Sequence, residues 1–178
     1  YSCKSANNPA LWDEMGMAAF DATLFSELGA SIDHPIGCSN CHDAQTLELI
    51  VTNPALETAL AAQGLDWRTF SQQEMRTVVC ANCHVEYYFS GPGKYLTFPW
   101  VLGQDIEDIA AYYQEIGFVD WKHPESGTPM IKMQHPDYET FTNNSTHYNA
   151  GVACADCHMP YVKTDGMRYS THDVKSPL

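Results

Sequence analysis

Three complete copies of the motif C-x-x-C-H occur in this sequence. Two cysteines at this spacing can form thioether bonds to the vinyl groups of a porphyrin, and the following histidine then reaches the iron from the same side. A single copy would also fit a zinc site or a thioredoxin-like redox pair. Three copies, none within a βαβ pattern, favour covalently bound haem c. The predicted sites are Cys38, Cys41 and His42; Cys80, Cys83 and His84; and Cys154, Cys157 and His158.

The seventh cysteine, Cys3, is followed by Lys4. The segment Tyr1-Ser2-Cys3-Lys4 matches the end of a C-x-x-C-K motif whose first cysteine precedes Tyr1, so we expect an internal fragment of a longer chain. A lysine amine must be neutral to donate to iron, and such a haem would differ from its histidine-ligated neighbours. The alternative is a free thiol beside a solvated lysine.

Composition limits the class of protein. With 178 residues, of which 44% are hydrophobic, we expect residues 1–178 to form a single multihaem domain in which haems replace part of the side-chain core. The net charge of −13 argues against nucleic acid as a partner, and a small anionic substrate would need a locally positive path. Haem attachment is usually associated with export, which predicts a periplasmic location, whereas the reducing cytosol favours zinc or free thiols.

The hydrophobic pattern predicts a mainly α fold, of the multihaem cytochrome c type, with helices and irregular haem-wrapping loops. We expect an apolar helix stripe formed by Ile106, Ile109, Ala110, Tyr113 and Ile116. Glycine and proline at 90–93 and 125–129 indicate loops. No run of alternating strands is evident. The predicted helices cover 9–28, 55–62 after Asn53-Pro54, 71–89 and 104–116.

Two further strings are specific: C-H-V-E-Y-Y-F at 83–89 and K-M-Q-H-P at 132–136. Together with the C-K start, the motif order and Met159-Pro160 after the third motif, they resemble the pentahaem cytochrome c nitrite reductases over the whole chain. That family reduces nitrite to ammonium with six electrons at a lysine-ligated haem. Four bis-histidine haems deliver the electrons to it.

The resemblance implies an active site. Lys4 would be the proximal ligand of the catalytic haem, with Cys3 as one of its thioethers, and Tyr87 and His135 would face the open side of the iron. Nitrite must lose its oxygens as water, so hydrogen-bond donors and proton sources are needed there. Considered alone, Tyr87 would be a core aromatic and His135 a loop histidine.

The resemblance also implies a calcium site. Its ligands would be the Glu86 carboxylate, the backbone carbonyls of Tyr87 and Lys132, and the Gln134 side chain, all hard oxygen donors. Because these residues flank Tyr87 and His135, the ion would fix both side chains and add positive potential. A solvated Glu86 and a hydrogen-bonded Gln134 are the alternatives.

Distal haem ligands are single histidines remote from the motifs. By the resemblance, His172 would ligate the haem held at Cys38, Cys41 and His42. His147 would serve the fifth haem, whose motif is absent from this sequence. Without the resemblance, each would be a surface histidine.

The implied partners are nitrite, a membrane quinol dehydrogenase or cytochrome electron donor, and a second subunit in a homodimer at full length. The family's active-site arginine falls outside this sequence. One alternative is a multihaem electron carrier, which does not explain Cys3-Lys4. Another is a hydroxylamine-oxidising or tetrathionate-reducing relative, and a third is a structural zinc protein.

Overall fold

The computed structural model describes residues 2–177 and confirms a mainly helical fold with short elements and irregular connections. The α-helices are α1 (Asn8–Met15), α2 (Met17–Ala22), α3 (Phe25–Leu28), α4 (Pro54–Ala62), α5 (Gln72–Val78), α6 (Ile106–Glu115), α7 (Asp137–Thr142), α8 (Thr146–Asn149) and α9 (Cys154–His158). Short 3₁₀ turns occupy Gly29–Ser31, Cys38–Asn40, Trp67–Thr69 and Val79–Asn82. Among these described helices, none has both the length and the apolar character needed to cross a bilayer.

In the described part of the chain, six short strands form three antiparallel hairpins and no larger sheet. They are β1 (Tyr88–Ser90) with β2 (Tyr95–Thr97), β3 (Trp121–Lys122) with β4 (Pro129–Met130), and β5 (Tyr161–Thr164) with β6 (Met167–Ser170). The two predicted loops, at 90–93 and 125–129, coincide with the turns of the first two hairpins.

Two predicted helices are confirmed with small changes. In α4, Pro54 occupies the first turn and the Asn53 side chain accepts a hydrogen bond from the Ala55 amide at 3.0 Å, which caps the helix. Helix α6 covers most of 104–116, but only Ile109 and Tyr113 of its predicted apolar stripe are buried. The other members, Ile106, Ala110 and Ile116, are exposed, so the stripe is narrower than expected.

Two predicted helices are interrupted. The segment 9–28 forms three helices, because the chain breaks at Gly16, whose φ of 78° favours glycine, and again at Thr23, which is extended. The predicted helix 71–89 is wrong beyond Asn82. There the amides of Cys83 and His84 both donate to the Cys80 carbonyl, at 3.1 and 2.9 Å, and close a tight turn that ends the helix.

The core lies behind the haem motifs. Its main cluster joins α4, α5, α6 and the first hairpin, and a smaller one joins α1 to α3. The cysteines remain at the margin, since all seven are free thiols with intermediate or exposed side chains. The largest fully buried side chains include Trp100, Tyr113, Phe20, Leu56 and Leu60.

The residue before the second cysteine of each motif ties that motif to another part of the chain. Asn40 donates from Nδ2 to the Ser5 carbonyl at 3.0 Å, next to Cys3 and Lys4. Asn82 accepts through Oδ1 from the amides of Thr52 and Asn53, at 3.1 and 3.0 Å. These contacts fix the first two motifs relative to the start of the chain and to each other.

Asp156 has the same role in the third motif. Its carboxylate accepts from the guanidinium of Arg76 at 2.8 Å and from Gln73 Nε2 at 2.6 Å. Arg76 is 6% exposed, also donates to Ser170 Oγ at 2.7 Å, and lies over the Tyr161 ring. The third motif is therefore held against α5, which leads into the second.

Replacing Asn82 with alanine tests this arrangement. The substitution leaves the amides of Thr52 and Asn53 without their acceptor, which should reduce the free energy of unfolding by about 2–4 kcal/mol. The exposed Asn149 provides a control, since Asn149→Ala should change the free energy by less than about 0.5 kcal/mol. Denaturant unfolding of the full-length, haem-loaded protein measures both, and equal effects would contradict the role of Asn82.

Candidate functional site

The cysteine sulfurs of different motifs are neighbours. The Cys3 and Cys83 thiols lie within hydrogen-bonding range, and this contact is the main reason that the pKa of Cys3 is lowered and that of Cys83 raised. The Cys80 and Cys154 thiols form a second pair, which lowers the pKa of Cys154 and raises that of Cys80. Porphyrins attached at these sulfurs would have adjacent edges, in the order Lys4 site, Cys80 site, Cys154 site.

Each motif histidine is held through one ring nitrogen. With Nδ1 engaged, Nε2 is the nitrogen left for a metal, and the partner of Nδ1 sets the orientation and basicity of the ring. The donor set therefore fits haem at all three motifs. The Nδ1 partners are the Leu47 carbonyl for His42 at 2.7 Å, the Asp137 carboxylate for His84 at 2.9 Å and the Lys175 carbonyl for His158 at 2.9 Å.

The ring of His172 lies near that of His42, the residue with which the resemblance would pair it. Their ring centroids are 6.1 Å apart and their planes differ by 46°. Because an imidazole nitrogen lies about 2 Å from a transition metal, two imidazoles on opposite sides of one iron have centroids roughly 6 Å apart. The separation fits a haem between the two rings. His147 has an exposed side chain in α8, and its ligand role stays a prediction.

One cleft brings together the residues that the sequence assigned to the catalytic haem. Cys3, Lys4, Tyr87 and His135 line a cavity of about 150 Å³. Burial is the main cause of a raised pKa for Tyr87, with smaller contributions from the charges of Cys3 and Glu86. The Tyr87 hydroxyl therefore keeps its proton at neutral pH and can donate it. The complete lining is Ser2, Cys3, Lys4, Cys83, His84, Tyr87, Phe89, Leu96 and His135.

His135 also lies close to His84, with ring centroids 5.9 Å apart. That separation alone would fit two ligands of one iron. A possible metal site also involves His84, because one ligand atom of this residue lies within 4.8 Å of one in His135 and one in Asp137. A metal ion bound there would compete with haem for His84. His84 and His135 both line the cleft with Lys4 and Tyr87, so His135 lies beside the lysine site as well as beside His84.

The predicted calcium ligands approach one another around a buried carboxylate. Glu86 is 0% exposed and accepts through Oε2 from the Gln134 amide at 2.6 Å. The Gln134 side chain in turn lies 3.4 Å from the Lys132 carbonyl. Burial raises the pKa of Glu86, and hydrogen bonds from Gln134 and Tyr113 only partly offset this effect.

The charge around Glu86 fits a divalent cation. Asp120 raises the pKa of Glu86 further, and within residues 2–177 no lysine or arginine forms an ion pair with Glu86. Burial also raises the pKa of nearby Glu139 to about 7. Among residues 2–177, its Oε2 is buried and has no hydrogen-bond partner. Oxygen donors and uncompensated acidic charge are what calcium binds.

Four residues near the site were not predicted. The Tyr113 hydroxyl donates to Glu86 Oε1 at 3.1 Å, although the sequence pattern assigned Tyr113 only to an apolar stripe. Asp120 accepts from the Lys132 amide at 2.6 Å. Asp137 follows the K-M-Q-H-P string directly and Glu139 comes two residues later. These acidic residues beside the string were the sequence signal that could have placed them near the site.

The cytochrome c552 family matches residues 1–178. Cytochrome c-552 of Parabacteroides distasonis is 48% identical over 178 residues, covering 100% of this chain and 36% of that protein. Cytochrome c-552 of Porphyromonas gingivalis is 47% identical over 176 residues, covering 99% of this chain and 35% of that protein. The chain thus spans about a third of the length of these curated relatives.

A solved structure is similar in fold as well. The catalytic subunit of cytochrome c nitrite reductase from Desulfovibrio desulfuricans, which has two calcium sites, matches with a TM-score of 0.85 and 41% sequence identity. The match covers 99% of this chain and 40% of that one.

The calcium assignment predicts that Glu86→Gln lowers bound calcium by about one ion per chain, because an amide is a weaker ligand than a carboxylate. Metal analysis and haem content of the full-length, haem-loaded protein measure the effect. Glu107→Gln on the exposed side of α6 is the matched control and should leave calcium unchanged. Unaltered calcium in Glu86→Gln, with haem content intact, would refute this ligand.

Proposed function

The chain belongs to the cytochrome c552 family, and we propose that it forms part of the catalytic subunit of an ammonia-forming cytochrome c nitrite reductase. The observation that carries the proposal is the cleft shared by Cys3, Lys4, Tyr87 and His135. The similarity to a nitrite reductase at 41% identity supports it. The chain spans 36% of the length of the Parabacteroides distasonis relative, so the activity of the whole subunit is part of the proposal.

In this proposal, the side chains around the cleft prepare nitrite for six-electron reduction. When bound, the haem would supply a binding position for nitrite and the electrons. Lys4 would be a protein ligand of that haem, and His135 and Tyr87 would donate hydrogen bonds to the nitrite oxygens and protons for the water that leaves. Tyr87 keeps its proton because burial raises its pKa. The exposed ring of His135 can be reprotonated from solvent.

The sulfur contacts support an electron route. The Cys80–Cys154 and Cys3–Cys83 pairs would bring electrons from the third motif through the second to the lysine-ligated haem. The charge of Cys41 also acts on both Cys80 and Cys83, so the first motif would flank this route. A quinol dehydrogenase or cytochrome in the periplasm would be the donor, and the full-length protein would be a homodimer.

Calcium would stabilise the reactive geometry rather than take part in the reaction. Its ligands Glu86 and Gln134 are the sequence neighbours of Tyr87 and His135, and the Glu86 carboxylate already contacts the Gln134 amide at 2.6 Å. An ion there would hold both segments and add positive potential where an anion arrives.

A multihaem electron carrier is the second candidate function. The observation that favours it is the 5.9 Å separation of His84 and His135, which would also suit two axial ligands of one haem. In that arrangement His135 would no longer be available to nitrite.

His135→Ala distinguishes these functions. If His135 serves the lysine-ligated haem, nitrite turnover should fall by about two to four orders of magnitude, the range for losing a proton donor or key electrostatic group. The number of low-spin haems in the electron paramagnetic resonance spectrum should not change. The readout is nitrite-dependent oxidation of a reduced dye by the full-length protein.

His34→Ala is the matched control, because the side chain of His34 is exposed and, within residues 2–177, its ion pair is with Asp33. It should retain normal turnover. Conversion of one low-spin haem to high spin in His135→Ala would instead identify His135 as an axial ligand and favour the carrier.

A further inference from the structure

The three motif histidines differ in what holds Nδ1. His42 and His158 donate to uncharged backbone carbonyls, whereas His84 faces the carboxylate of Asp137 at 2.9 Å. We propose that Asp137 is a positioning residue that makes His84 a stronger iron ligand and lowers the reduction potential of the haem at Cys80 and Cys83. This inference depends on the haem attachment in the proposed function but not on nitrite as the substrate.

The chemistry follows from the charge on the acceptor. A carboxylate draws the Nδ1 proton toward itself more strongly than a carbonyl does, so electron density on the imidazole increases. A more electron-rich axial ligand stabilises ferric over ferrous iron, and the reduction potential falls. The increase in electron density is smaller for His42 and His158, because their partners are backbone carbonyls without net charge.

The backbone fixes Asp137 in this position. Asp137 begins α7, and the next residue, Tyr138, donates its amide to the His84 carbonyl at 3.0 Å. Glu139 accepts the Glu86 amide at 2.9 Å and the Trp100 indole at 2.8 Å through the same oxygen. Three consecutive residues of α7 therefore contact the segment that carries His84.

This support matters because the ion pair itself is accessible to water. The side chains of His84 and Asp137 are 61% and 66% exposed, and an exposed pair contributes little to folding stability. The proposed effect therefore concerns the iron ligand. It requires that the carboxylate remain beside Nδ1, where it lies at 2.9 Å, and the buried Tyr138 and Glu139 fix the backbone next to it.

A lower reduction potential at this haem would affect electron transfer to the lysine-ligated haem. The Cys83 sulfur contacts Cys3, so the haem at Cys80 and Cys83 would be the immediate electron donor to the lysine-ligated haem. An electron that leaves ferrous iron in the Cys80–Cys83 haem would reduce ferric iron in the lysine-ligated haem. A lower potential at the donor favours transfer in that direction.

Asp137→Asn tests the inference, since asparagine keeps an oxygen acceptor but removes the charge. Potentiometric titration of the full-length, haem-loaded protein, followed by magnetic circular dichroism, should show one low-spin haem with a more positive midpoint and the others unchanged. Asp137→Glu restores the charge and should return the midpoint toward the wild-type value. Asp13→Asn, on the exposed side of α1, makes the same change in net charge as a matched control and should move no single haem selectively.

Two results would overturn the proposal. The first is unchanged midpoints in Asp137→Asn with normal haem content, and the second is an equal shift of all haems in both asparagine variants. Nitrite turnover is measured separately, so normal turnover with unchanged midpoints would reject the tuning role and leave nitrite reduction standing. A peptide spanning Cys80 and Cys83 that carries no haem in the wild-type protein would reject both.

Discussion

The buried carboxylate of Glu86 is the contact on which the proposed site depends. It joins two segments remote in sequence, because Oε2 accepts the Gln134 amide while the Glu86 amide donates to Glu139. The same two segments carry Tyr87 and His135 at one cleft, and His84 and Asp137 beside it. Burying a carboxylate is unfavourable without a cationic partner, and no lysine or arginine of residues 2–177 forms an ion pair with Glu86, so a calcium ion would suit this position.

The haem motifs are held by polar contacts rather than by a shared apolar core. Asn40, Asn82 and Asp156 occupy the same place in their motifs, and each is bonded to a different part of the chain. The apolar clusters lie behind, around α4 to α6 and around α1 to α3. Such an arrangement leaves the cysteines accessible for attachment while fixing their relative positions, which is what electron transfer between haems needs.

Local signals predicted the parts of the fold that local interactions determine. The Asn53-Pro54 pair indicated a helix that starts at a proline, which is α4, and motif spacing indicated the haem sites. The helix predicted over 71–89 was wrong beyond Asn82, because the turn at the Cys80 carbonyl ends it and hydrophobic periodicity carries no signal for such a turn. The Tyr113–Glu86 and Asp137–His84 contacts span 27 and 53 residues. Pairings this remote in sequence cannot be read from one sequence without a family resemblance.

We propose that nitrite binds at a lysine-ligated haem beside Tyr87 and His135. Titration of the full-length, haem-loaded protein with nitrite, followed by electron paramagnetic resonance, distinguishes this site from the histidine-ligated haems. We expect only the signal of the lysine-ligated haem to change, while the histidine-ligated haems keep their spectra. A change at a histidine-ligated haem, or no change at saturating nitrite, would contradict it.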